Sequence, residues 1–143
     1  MRIERILGDK GGDVVTVKPG ATVGDAARLL SEKRIGAVIV CDEDEAPVGI
    51  LSERDIVREL GRSGPGCLDR DVASMMTATI QSCSPHDGLD EVLSKMTEGR
   101  FRHMPVMAGD RMVGLVSIGD VVKARLGELS MERDALQGMV MGH

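Results

Sequence analysis

The chain repeats itself, and that duplication limits its fold more than any other feature. The segment VVTVKPGATVGDAARLLSEKRIGAVIV (14–40) and the segment IQSCSPHDGLDEVLSKMTEGRFRHMPV (80–106) carry the same order of signals, with Pro85 standing 66 residues after Pro19. Farther on, PVGILSERDIV is matched by MVGLVSIGDVV, and Asp120 follows Asp55 by 65 residues. The one-residue change in offset falls at the polar stretch Asp42-Glu43-Asp44-Glu45, a loop free to vary in length. A period this long means two copies of one supersecondary unit.

Within each repeat the apolar spacing predicts strand, helix, hairpin and helix in that order. Val23, Ala26, Ala27 and Leu30 fall at i, i+3, i+4 and i+7, as do Leu89, Val92, Leu93 and Met96. Such spacing puts one buried stripe on an otherwise charged helix. Thr22 is placed to cap the first of these helices, with Asp25 completing a capping box. The runs GAVIVC and PVGIL, then HMPVM and RMVGLV, are each split by a polar loop and read as β-hairpins. Short closing helices are expected over 53–60 and 118–126. Between the repeats, GRSGPGCLDRDVASMMTAT is rich in glycine, as a linker should be, and ends with Val72, Met75 and Met76 at the spacing of one helical turn. Ile3, Ile6 and Leu7 at one end, and Leu136, Met139 and Val140 at the other, mark amphipathic helical pieces. Packing on their own domain is favoured for both over a dimer contact. The expected division is a helical segment 1–9, repeat one 10–66, linker and repeat two 67–128, and a helical tail 129–143.

Composition narrows the function classes. A chain of 143 residues is long enough to bury about 68–70% of its unfolded surface, so neither a disulfide nor a metal staple is needed. One Phe, no Trp, no Tyr and ten Met predict an aliphatic, Met-filled core. The same scarcity withholds the aromatic platforms on which single-strand nucleic-acid binders stack bases. A net charge of −5 without a basic tract argues further against nucleic acid. No apolar run approaches the ~18 residues of a membrane span, and MRIERILGDK lacks a signal-peptide core. Cys41, Cys67 and Cys83 are odd in number, widely spaced and without a CxxC, which reads as reduced thiols in a cytoplasmic protein. No GxSxG elbow, Walker A sequence or GxGxxG occurs. His86, His103 and His143 form no evident ligand set, and the acidic loop lacks an EF-hand pattern. Neither catalytic residues nor a metal site is expected.

The repeats resemble the CBS domain, named for cystathionine β-synthase, and the pair resembles a Bateman module over about residues 10–128. The resemblance rests on VGILSERDIV (48–57) and VGLVSIGDVV (113–122), with ASMMT (73–77) leading into repeat two and RFRHMPV (100–106) within it. It implies an α/β fold of the α+β type, in which two pseudo-symmetric βαββα repeats pack as one compact module. It also implies a non-catalytic regulatory protein of signal transduction, binding AMP, ADP, ATP or NAD(H) in clefts between the repeats, forming a homodimer and acting on an effector protein. The alternatives are a structural dimerisation module with vestigial ligand sites and, behind it, a small nucleotide-processing enzyme.

The residues themselves describe the polar half of a nucleotide. Ser52-Glu53-Arg54-Asp55 and Ser117-Ile118-Gly119-Asp120 each lie at a strand-to-helix junction. A helix N-terminus suits a phosphate, a serine hydroxyl can donate to it, and an aspartate can accept from both ribose hydroxyls. Ser-x-x-Asp is equally a capping box, and repetition does not separate the two roles because both helices need caps. The surrounding match favours the nucleotide, as does Asp where a cap prefers Glu or Gln. Repeat one enters its central strand with Gly36 and Ala37 and carries Arg54 in its signature. Repeat two has Arg102 and His103 there, followed by Met104 and Pro105, with Gly119 in its signature. Small residues admit a planar base close to the backbone. Arg102 and His103 offer charge-assisted donors suited to di- or triphosphates, so the two sites are not equivalent. Solvated surface charge is the other role open to Arg54 and Arg102, and a hydrogen-bonded, partly buried position the other for His103. By resemblance, the backbone before each first strand lines the base pocket: Lys10 to Asp13 in one half, and Met76 to Thr79, including Thr77 and Thr79, in the other. Lys10 either meets a phosphate or projects into water.

Overall fold

The computed structural model of the chain describes residues 1–140, so His143 lies outside the described residues. The elements run α1 (Ile3–Lys10), β1 (Thr16–Val17), α2 (Val23–Lys33), β2 (Ala37–Cys41), β3 (Pro47–Ser52), α3 (Glu53–Ser63), 3-10 turns at Pro65–Asp69 and Val72–Ser74, α4 (Leu89–Gly99), β4 (His103–Ala108), β5 (Arg111–Ser117) and α5 (Ile118–Val140). The result is a mixed α/β chain with two small sheets. Two compact units comprise it: Asp13–Gln81 with Gly109–Val113, and Met1–Gly12 with Ser82–Ala108 and the chain from Gly114 onward.

In the first unit β1 pairs parallel with β2, and β2 pairs antiparallel with β3, aligning Ala37 with Ser52 and Ile39 with Ile50. The expected stripe of α2 is buried at Val23, Ala26 and Leu30, with Ala27 half-buried. It meets Val38, Val40, Leu51, Ile56 and Val72 in one aliphatic cluster. Thr22 caps α2, its Oγ1 accepting from Asp25 N at 3.0 Å. The capping box is only half made, because Asp25 turns to Arg28, with Oδ1 3.4 Å from Nη1. α3 runs to Ser63, three residues past expectation, and stops at Gly64, whose φ of 80° is a conformation that side chains other than glycine's disfavour. Val72 is fully buried on a 3-10 turn rather than an α-helical one.

The second unit repeats the plan with a weaker first strand. Leu89, Val92 and Met96 are buried on α4 and Leu93 is half-buried, matching α2 position for position. In place of a strand, Cys83 alone bridges Val106, with Cys83 N–H donating to the Pro105 carbonyl at 3.0 Å and Met107 N–H to the Cys83 carbonyl at 2.8 Å. α4 begins at Gly88 without a side-chain cap. α1 belongs to this unit and buries Ile3 and Ile6.

Three expectations need correction. The core is aliphatic more than Met-filled: Met96 and Met104 are fully buried, Met75 and Met76 pack at a rim, and Met131 and Met139 are exposed. The closing helix of repeat two does not stop near 126, since α5 continues to Val140 through a stretch of good helix formers without proline. Packing on its own domain holds for Ile3 and Ile6 but not for the tail, where Leu136 is 62% and Met139 75% exposed, while the Val140 side chain lies outside the described residues.

Candidate functional site

Each Ser-x-x-Asp signature joins the last residue of a hairpin strand to the first turn of a helix. In repeat one Asp55 N–H donates to Ser52 Oγ at 3.2 Å, while Ser52 N–H and its hydroxyl donate to Asp55 Oδ2 at 3.0 and 2.9 Å. In repeat two Asp120 N–H donates to Ser117 Oγ at 3.1 Å and Ser117 N–H to Asp120 Oδ2 at 2.9 Å. Both signatures are therefore capping boxes, with aspartate filling the place usually held by the longer Glu. Every bond that either aspartate accepts within its box falls on Oδ2, so Oδ1 stays outside the box in both repeats.

The strand entries are tied to the same helix starts. Glu53 N–H donates to the Gly36 carbonyl at 2.9 Å, and Ile118 N–H to the Arg102 carbonyl at 2.8 Å. Gly36, Ala37, Arg102 and the half-buried His103 are thus brought beside the signatures through backbone. Met104 and Pro105 are buried instead, packed in the interior of their unit. Arg54 and Gly119 are exposed in the first turns of α3 and α5. Arg54 lines an open cavity of about 420 Å³ with Glu53, Val57 and Arg58 along the first turns of α3.

The leading segments pair in an order that chain position does not suggest. Thr77, which precedes repeat two, exchanges both backbone hydrogen bonds with Ile50 of repeat one, at 3.0 and 2.8 Å. Lys10, which precedes repeat one, reaches repeat two: its Nζ lies 2.8 Å from Asp120 Oδ2 and 3.0 Å from the Leu115 carbonyl. Close approach makes this possible, because a Cβ on Gly49 would collide with Met76 and one on Gly114 with Leu7. Thr79 is exposed. Two groups were missed by sequence reasoning. Arg58 Nη1 sits 3.8 Å from Asp55 Oδ1, a pair that i,i+3 spacing could have signalled, whereas the Leu115 carbonyl left no sequence mark.

The electrostatics differ between repeats. Burial works to raise the Asp120 carboxyl, but the bonds from Lys10 and Ser117 outweigh it and hold the group below the ordinary Asp range. The three cysteines are free and buried. Burial, reinforced by Asp87, pushes the Cys83 thiol up to about 11, and burial raises Cys41 too. Neither holds a reactive thiolate near neutral pH. Among the described residues no cluster of His, Cys, Asp or Glu could hold a metal ion, and no helix is long and apolar enough to cross a membrane.

The family pattern "CBS domain" matches residues 10–62 and 70–127. A CBS-domain containing protein from Agrobacterium tumefaciens has a similar structure at 43% identity and a TM-score of 0.83, over 87% of this chain and 92% of that one. A CBS domain protein from Pyrobaculum aerophilum, complexed with AMP, aligns at 26% identity and a TM-score of 0.78, over 92% and 99% of the two chains. The Arabidopsis thaliana CBS domain-containing protein CBSX3, mitochondrial, is 33% identical over 125 residues, 85% of this chain and 61% of that protein. The chain thus spans less than two thirds of that relative's length. It belongs to the CBS domain family.

Proposed function

We propose that this member of the CBS domain family is a non-catalytic regulatory module that binds an adenine nucleotide, AMP, ADP, ATP or NAD(H), at its Ser-x-x-Asp junctions. The observation that carries the reading is the likeness of the two junctions, each with one aspartate oxygen committed to the cap and Oδ1 outside it. An acceptor-only carboxylate there suits ribose hydroxyls, and the helix start beside it suits a phosphate. The AMP complex of the Pyrobaculum relative supports an adenine ligand. In repeat one, Gly36 stands at the strand entry with Ala37 buried behind it, and the cavity edged by Arg54 and Arg58 suits phosphate. In repeat two, Arg102 and His103 fill the equivalent strand entry. The module works in the cytoplasm as a homodimer, and its occupancy biases an effector protein between two states.

Calorimetric titration of the nucleotide-stripped protein with AMP, ADP, ATP, NAD⁺ and NADH, against adenosine and GMP, tests this. Micromolar binding of adenine nucleotides is expected, weakened by about 1–3 kcal/mol in Asp55→Asn and in Asp120→Asn. No heat with any of them, together with an unmoved melting temperature, would leave a structural dimerisation module. Leu126, Leu129 and Leu136, exposed along α5, suit a dimer contact, and a concentration-dependent mass in sedimentation that no nucleotide alters would support that second reading.

A further inference from the structure

We propose that the tail of α5 pairs antiparallel with the same helix of a second copy, in a register that sets Arg133 of each chain beside Glu132 of the other. The proposal rests on the homodimer reading above and names the surface that forms it. Val122, Leu126, Leu129, Arg133 and Leu136 follow one another at alternating steps of four and three, the spacing of a coiled-coil seam. Its four apolar members are all exposed. The side of α5 that its own unit uses is a different one: Val121 is buried, and Arg125 Nε lies 2.8 Å from Asp90 Oδ1 of α4. Every residue from 129 to 137 is exposed, so these turns gain little from packing on their own unit. A helical stretch of that length is marginal in water by itself, and a facing helix supplies what it lacks.

Two features of the seam select the occupant and its direction. The first is symmetry end to end: Leu126 and Leu136 stand five residues either side of Met131, and Leu129 and Arg133 stand two. A twofold axis level with Met131 sets Leu126 of each chain against Leu136 of the other, and Leu129 against Arg133. The face is thus self-complementary, as a twofold contact between identical chains requires. The second feature is the charge within it. A parallel pair sets Arg133 against Arg133, like charge on like charge at a core position of the seam. The antiparallel pair separates the two arginines. It brings Glu132, which flanks the seam, alongside the arginine of the other chain, about one turn from Leu129. Two such ion pairs form, related by the axis. Within its own chain Arg133 makes only exposed contacts, to Asp134 at 3.5 Å and to Ser130 at 3.4 Å.

Disulfide trapping in the full chain reads the direction. Leu126→Cys and Leu136→Cys chains are oxidised separately and as an equimolar mixture, with wild type, whose own cysteines are buried, as the control. A disulfide needs its Cα atoms within about 7 Å, so the mixture should give roughly five-fold more linked dimer than either variant alone. Linkage of each variant with itself would mean parallel pairing, and a mixture no more linked than wild type would mean that no second tail lies on this face; either overturns the proposal. Sedimentation equilibrium reads the charges. Arg133→Glu should raise the dimer dissociation constant about ten-fold, and adding Glu132→Arg should recover most of that loss. Adjacent residues of one helix do not face each other, so recovery reports a contact between chains. An unmoved constant, or a loss that is not recovered, overturns the register. A dimer that keeps the wild-type constant in Leu126→Ser with Leu136→Ser overturns the tail contact and leaves the homodimer reading standing. A chain that stays monomeric at every concentration overturns both.

Discussion

Repeat one begins its first helix under Thr22, whose hydroxyl caps it, whereas repeat two begins the matching helix at Gly88 with no side-chain cap. Repeat one forms a two-residue strand at Thr16–Val17; repeat two reduces it to one bridge at Cys83. Yet both keep the same stripe on α2 and α4, a hairpin that delivers Ser-x-x-Asp to a helix start, and a residue in the left-handed conformation after the first helix, Arg34 in one and Arg100 in the other. The repeats thus differ in a helix cap, whose loss costs about 1 kcal/mol, and in a strand edge, and they agree in the core faces and in the capping geometry of the signature. The signature is also where the repeats differ in charge, through Lys10.

The largest expected effect tests whether the two cores are equivalent. Leu30→Ala and Met96→Ala occupy matching positions, 5% and 1% exposed, and each should lose about 2–5 kcal/mol in urea unfolding. A Met96→Ala loss under ~1 kcal/mol would mean that the second core collapses around the gap, and the equivalence would fail. Next come the caps. Ser52→Ala and Ser117→Ala should each lose about 1 kcal/mol, with Ser52 the larger because its hydroxyl also donates to Asp55 Oδ2 at 2.9 Å. Equal losses would show that this extra bond contributes nothing.

A smaller effect is read against pH. The Asp120 carboxyl is held below its unfolded value, so its contribution is present above the unfolded pKa and disappears as pH falls through the folded one. Wild type should lead Lys10→Met in urea midpoint near neutrality, and that lead should shrink between about pH 5 and 2. A lead that stays constant across this range would mean that Lys10 acts through something other than Asp120. The smallest effect is a repair: Gly88→Ser, at a residue with ordinary extended φ and ψ, should raise stability by a few tenths of a kcal/mol by restoring the cap that repeat two lacks. No change in melting temperature would mean that the open end of α4 is already satisfied.

Much of the fold was legible because periodicity reports burial directly. The stripes at Val23 and Leu89, both hairpins and the helix starts at Ser52 and Ser117 lie where spacing placed them. Lengths were less legible. α5 exceeded its expected end because helix propensity continues past the packed residues, and the apolar run of the tail did not bring burial with it. At the candidate site, the signature was readable residue by residue, but Met104 and Pro105 share a strand with His103 and differ from it in burial. Position along a strand says which residues are neighbours, not which ones the packing covers.

The duplication follows from comparing the chain with itself 65 and 66 residues on. The order of elements in each repeat and the Ser-x-x-Asp helix starts follow from the sequence alone because they depend on residues within about four positions of one another. What the sequence could not decide is which leading segment serves which repeat. Lys10 stands 110 residues from Asp120 and 45 from Asp55, yet it is Asp120 that it holds. That choice belongs to tertiary packing: Leu7 lies against Gly114, Ile3 and Ile6 are buried, and α1 therefore ends with its last side chain beside α5. Long-range pairing of this kind is set by where buried surface is gained on folding, a quantity that no local spacing contains.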